Sequence, residues 1–149
     1  MTSTVYIAKN VYGGDGLGRL GDGRVVFVPG AWAGEQVKAE IVDEKRSYVK
    51  ARLVEIIEPS PLRIEGKKVA ETPGCVYANI SPAGEMAAKA SQLKEFFERA
   101  RIPIEKFHLA TLSDESFYNY RNKVVHHFAV EKGELKIGYR QEPAHRIVD

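Results

Sequence analysis

Eight of the chain's thirteen glycines fall between Tyr12 and Glu35, in YGGDGLGRLGDGRVVFVPGAWAGE. That density rules out a helix over the stretch, since each glycine costs about 1 kcal/mol against alanine in a helix interior. Two uses of the glycines then compete. Gly16, Gly18 and Gly21 satisfy G-x-G-x-x-G, the spacing of a dinucleotide-binding loop. Alternatively, the glycines supply positive φ, bulges and tight corners to a small sheet. A dinucleotide loop must open a helix, whose N-terminus receives the pyrophosphate. Here the glycines run into Asp22-Gly23, a two-residue hairpin signal, and then into Val25-Val26-Phe27-Val28 before Pro29. That is poor helix material, so the sheet reading is preferred. One functional variant survives: backbone N–H groups in a glycine-rich loop can approach a phosphate closely.

The flanking sequence reads as short strands. Val5 to Val11 forms one, and Asp22-Gly23 joins Leu20 to Val25–Val28. Gln36 to Lys45 alternates, with Val37, Ala39 and Ile41 on one face and Gln36, Lys38 and Glu40 on the other. A turn over Glu44 to Ser47 leads into Tyr48 to Ile57, with Val49, Ala51 and Leu53 inward. Four or five strands in about 55 residues predict a small closed all-β barrel, whose closure hides the sheet edges. Pro59 and Pro61 in EPSPLR stop the strands. The expected organisation is a barrel over 1–58, a linker over 59–65 and an α+β segment over 66–149.

The second segment carries one helix. Ser81 is a good N-cap and Pro82 suits the first helical position. Met86, Ala90, Leu93 and Phe97 make one apolar stripe. Arg99 and Arg101 suit the C-terminal end, and Pro103 bars continuation. Lys123 to Val130 and Leu135 to Tyr139 predict an antiparallel hairpin around Lys132-Gly133.

A formal net charge of +2 permits nucleic acid as a partner without demanding it. A single cysteine, Cys75, allows no internal disulfide and suits a reducing, cytoplasmic setting. MTSTVYIAKN lacks a signal-peptide core, and no stretch has the length of a membrane span, so no membrane association is expected.

Two clusters carry candidate chemistry. Tyr48, Lys50 and Arg52 alternate on one strand and share a face; Lys45 and Arg46 sit in the turn before them, and Lys38 on the matching face of the preceding strand. An aromatic among cations suits single-stranded nucleic acid through stacking and phosphate attraction. The alternative is a solvated outer face, diluted by Glu40, Asp43 and Glu44. Tyr118, Tyr120, Arg121, Asn122 and Lys123 combine aromatic, guanidinium and amide groups suited to unpaired RNA; the alternative is a loop entering a strand. His126 and His127 are neighbours on a strand, so they face opposite ways and cannot hold one metal ion together. Cys75 lacks a triad context, because His108 and His145 are distant in sequence. No catalytic residue is expected in this chain.

Several separate stretches resemble one family, the S-adenosylmethionine-dependent RNA uracil-5 methyltransferases. The Y-G-G-x-G-x-G-R opening, V-F-V-P-G-x-x-x-G-E and the terminal E-P-S-P-x-R resemble its N-terminal TRAM domain, an RNA-binding barrel of OB type. GCVYANISPAGEMAAKASQLKEFF resembles its cysteine-containing stretch and following helix; YRNKVVHHF, GELKIGYR and HRIVD resemble its central domain. TRAM domains also occur in methylthiotransferases, at the C-terminal end, whereas this one opens the chain.

The resemblance implies RNA (rRNA or tRNA) as partner and a partial α+β central domain after the barrel. It implies that the cofactor domain, catalytic cysteine and general base of the family lie beyond Asp149, so a fragment is expected. Neither S-adenosylmethionine nor methyl transfer can then be assigned to a residue here. Exposed edges in the incomplete half would favour self-association. Many members bind a 4Fe–4S cluster through four cysteines; here Cys75 fills one position of the C-x5-C-x2-C run, while Thr72 and Gly66 stand at the others. No cluster is therefore expected. The alternatives are a free-standing TRAM-type RNA-binding module and a protein-interaction barrel without nucleic acid.

Overall fold

The computed structural model describes residues 1–65, 74–106, 110, 121–141 and 146–148. Five strands build the first unit: β1 (Thr2–Asn10), β2 (Gly16–Arg19), β3 (Val25–Val28), β4 (Gln36–Glu44) and β5 (Tyr48–Glu58). They close into a barrel in the order β1-β2-β3-β5-β4. The β3–β5 pair is parallel and the rest are antiparallel. Period-two alternation fills the interior: Val5 and Ile7, Val26 and Val28, Val37 and Ala39, Val49 and Ala51 are all buried. Each larger aliphatic among them contributes about 1.5–3 kcal/mol by leaving water.

The glycines of the opening stretch divide into two kinds. Gly23 takes φ +87 and closes the β2–β3 hairpin, with Leu20 N donating to Arg24 O at 2.9 Å. Gly16 and Gly18 instead lie within β2, followed by a strand and not by the helix a dinucleotide loop requires. They are there for space. A Cβ on Gly18 would stand 2.4 Å from Val5 Cγ1 and 2.5 Å from Tyr6 O, whereas one on Gly21 would meet nothing within 4 Å. Gly18→Ala should therefore cost about 1–3 kcal/mol by overpacking, and Gly21→Ala almost nothing. Denaturant midpoints of the two variants check this; equal shifts would refute the steric account.

Residues 59–65 are pinned to the barrel. The Glu35 carboxylate is wholly buried and accepts from Trp32 N at 2.8 Å, Ser60 N at 3.2 Å and Arg63 Nη2 at 2.9 Å. Arg63, with 14% of its side chain exposed, also donates from Nε to Glu35 and from Nη2 to Gly30 O at 2.6 Å. Burial pushes the Glu35 carboxyl upward. The Arg63 guanidinium and the Trp32 and Ser60 amides outweigh it, and the group lies below its ordinary value.

Helix α1 (Pro82–Arg99) starts as expected, with Gly84 N donating to Ser81 Oγ at 3.2 Å. Its contact with the barrel is largely polar: Lys9 Nζ meets Glu95 Oε1 at 2.5 Å, and Gln92 Nε2 donates to Val11 O at 3.0 Å. Tyr77, before the helix, stacks on Trp32 with ring centroids 5.6 Å apart. The expected stripe is incompletely covered, since Leu93 is exposed and Gly84 is the fully buried helix residue. Glu95 and Gln92 occupy the approach to the barrel instead.

A short 3-10 helix (Ile104–Lys106) follows, and then β6 (His127–Glu131), β7 (Glu134–Gln141) and β8 (Arg146–Val148) form an antiparallel sheet in that order. Lys132 and Gly133, at φ 53 and 84, make the tight turn. The expected hairpin thus gains a third strand. It also starts later than expected: Lys123–His126 precede β6, whose ladder begins with His127 opposite Gly138. The Val124-Val125 pair supplies strand propensity, but a strand needs a partner. Phe128 lies opposite Ile137 and Val130 opposite Leu135, and all four are 56–79% exposed.

Candidate nucleic-acid interface

Outward residues of β5 alternate with its buried valine and alanine, so Tyr48, Lys50 and Arg52 do share the outer face. The register then decides which cations are free to act. Arg52 lies opposite Glu40 and forms an ion pair with it, which holds the Glu40 carboxyl below its ordinary range. Lys45 pairs with Asp43 at 3.1 Å, and Lys38 lies opposite Glu55. Arg24 takes up Asp22 and Glu44. Exposed pairs of this kind cancel each other's field at distance.

Lys38, Arg46 and Lys50 form no ion pair among the described residues; Lys38 lies opposite Glu55, and Lys50 lies opposite Asp43, which Lys45 already holds. Arg46 is exposed, with no carboxylate partner among the described residues. Lys50 is exposed near Asp15, whose carboxyl is raised by burial and pulled back down by Lys50. The candidate patch therefore contracts to Tyr48, Lys50 and Arg46, with Arg52 and Lys45 at a charge-compensated margin and Lys38 on β4 opposite Glu55.

The parallel β3–β5 pairing adds a residue that strand-by-strand reading missed. Phe27 lies opposite Lys50, and its ring meets Tyr48 edge-on at 5.9 Å. The signal was present: Val26 and Val28 point inward, so Phe27 between them points outward. What the sequence lacks is the partner, because a parallel pairing of β3 with β5 skips β4.

From the second cluster, Arg121, Asn122 and Lys123 are exposed ahead of β6, and Arg121 has a partner of its own. Tyr118 and Tyr120 lie outside the described residues. His126 sets its ring edge against Tyr139 at 5.1 Å. Among the described residues no group of three or more His, Cys, Asp or Glu could hold a metal ion, and no helix is long and apolar enough to cross a membrane.

The closed five-stranded barrel carries an aromatic and basic outer face, and its residues 2–54 match the TRAM domain. Over 99% of its length the chain is 37% identical to an uncharacterized RNA methyltransferase of Gloeobacter violaceus, 33% of which it covers. Over 91% of its length it is 28% identical to RlmD of Photorhabdus laumondii, a 23S rRNA (uracil(1939)-C(5))-methyltransferase, 31% of which it covers. The chain thus spans about a third of the length of these relatives. It is also similar to the solution structure of a conserved protein of Methanococcus maripaludis, at 36% identity over 36% of this chain and 74% of that one, with a TM-score of 0.34.

Proposed function

We propose that the chain is the RNA-binding N-terminal portion of an RNA (uracil-5-)-methyltransferase. It holds and orients RNA so that one uridine is presented to a catalytic domain that this sequence does not include. The observation that carries the reading is a similarity to RNA methyltransferases running through both the TRAM barrel and the α+β segment, over 91–99% of the chain. A cytoplasmic setting accords with an RNA substrate and one unpaired thiol.

Cofactor chemistry falls outside these residues in this reading. A 4Fe–4S cluster needs several thiolates, and the sequence supplies Cys75 alone, so the donor set does not fit. The test is one preparation with three readouts. Anaerobically purified chain should be colourless and iron-free, should show no heat on titration with S-adenosylmethionine, and should bind single-stranded RNA with a salt-dependent affinity. A salt-independent affinity, or none, would overturn the RNA reading. Micromolar cofactor binding or about four irons per chain would overturn the division of labour.

Self-association belongs to the same proposal. Phe128, Val130, Leu135 and Ile137 form one exposed apolar face on β6 and β7, and such a face attracts a second apolar surface. Sedimentation should show concentration-dependent association that Ile137→Lys abolishes. A monomer at all concentrations would remove this part of the proposal.

A further inference from the structure

The barrel face continues past β3 onto strands that the sequence did not connect to it. Strand β1 changes partner along its length, pairing through Thr2–Tyr6 with β4 and from Ile7 onward with β2. Ile7 lies opposite Gly18, so Tyr6 and Arg19 are the next residues along the two strands. The missing Cβ at Gly18 lets the backbones close in, since its position would fall 2.5 Å from Tyr6 O. Arg19 lies opposite Val25, and Val25 opposite Tyr48. One row of outward residues, Tyr6–Arg19–Val25–Tyr48, therefore crosses four strands, with Phe27 beside Tyr48 at its end. Three strand spacings make the row roughly 14 Å long along the sheet.

The chemistry of the row is specific. Tyr6 is 62% exposed between two buried neighbours. Arg19 is exposed and donates to Gly23 O at 2.9 Å, with no carboxylate partner among the described residues. Lys50 and Arg46 flank the Tyr48 end. Asp22, Glu44, Asp43 and Glu40 are drawn to Arg24, Lys45 and Arg52, and Asp15 lies near Lys50. Aromatic rings at both ends, a guanidinium between them and compensated acids at the margin fit a polyanion with exposed ring faces. The core of a protein-binding patch would instead be depleted of charge.

We infer that an unpaired RNA strand runs along this row, across the strands, stacking on Tyr48 and Phe27 at one end and on Tyr6 at the other, with a phosphate at Arg19. A duplex hides the faces of its bases and cannot use the rings. This deepens the RNA-binding reading and rests on it.

The experiment titrates the 149-residue chain against a fluorescent oligouridylate and against a duplex RNA of similar length, over a salt series. Tyr6→Ala, Arg19→Gln and Lys50→Glu are compared with the unaltered chain, and thermal melting reports folding. Tyr6→Ala should weaken the oligouridylate about 5- to 150-fold with an unchanged salt slope. Arg19→Gln should flatten the slope by about 0.7, and the duplex should bind more weakly. If Lys50→Glu weakens binding while Tyr6→Ala and Arg19→Gln match the unaltered chain, the path does not reach β1 and only this inference falls. Equal affinity for the duplex would also overturn it. If neither RNA binds, as for a protein partner on this face, the RNA reading falls with it.

Discussion

Arg63→Ala should destabilise the barrel by about 3–5 kcal/mol, the range seen when one member of a buried ion pair is removed and its partner keeps its charge. Glu35 would remain wholly buried with only the Trp32 and Ser60 amides as donors, and Gly30 O would lose its donor. Whole domains have roughly 5–15 kcal/mol of stability, so the variant is expected to be largely unfolded on mild heating. The pH dependence supplies an independent check. A carboxyl depressed in the folded state adds stability that is complete above its unfolded value, here 4.5, and is lost as pH falls through the lower folded value. Acid unfolding of the unaltered chain should draw on this group. Arg63→Ala removes a cause of the depression, so its acid transition should move to higher pH. Chemical denaturation from neutral pH downward would measure both effects. An acid transition at the same pH in both proteins would show that the pair contributes nothing.

The second large effect concerns RNA. Lys50→Glu with Arg46→Glu reverses one cation on the β5 face and one in the turn before it, neither of which forms an ion pair among the described residues. Each phosphate contact on a single strand contributes about −0.7 to the slope of log K against log salt. Losing two should flatten the slope by about 1.4, with a corresponding fall in affinity at low salt. Arg52→Glu alone should act differently. It breaks a pair with Glu40 and sets two carboxylates side by side, so it should weaken binding by repulsion without removing a full phosphate contact. Filter binding across a salt series separates the two. An unchanged slope in the double variant, with the fold intact, would leave this face merely solvated.

The sequence made the barrel legible because its alternation is unambiguous. Val37 and Ala39, Val49 and Ala51 point inward as the period-two pattern requires. The N-cap at Ser81 was equally readable from chemistry local to the chain. What escaped were the particular contacts made between long-range partners. Phe27 joins Tyr48 only through a parallel register, and Gly18, next to Arg19, comes opposite Ile7, next to Tyr6, only through the β1–β2 pairing. The neutralised state of Arg52 is likewise a property of the β4–β5 register, in which bulges shift the pairing three times. Glu35 and Arg63 are separated by 28 positions and carry no motif that announces a buried pair.

The order in which the barrel can close has a consequence for synthesis. Strand β3 finds its second neighbour only in β5, and β4 finds one of its neighbours in β1, at the start of the chain. As the polypeptide emerges N-terminus first, β1, β2 and β3 can pair but must carry open edges until Tyr48–Glu58 is available. Glu35 meets its guanidinium partner only when Arg63 follows. Closure of so non-local a sheet is intrinsically slow. A pause in translation before Tyr48 would leave a nascent sheet with two unsatisfied edges and an unpaired carboxylate destined for its interior.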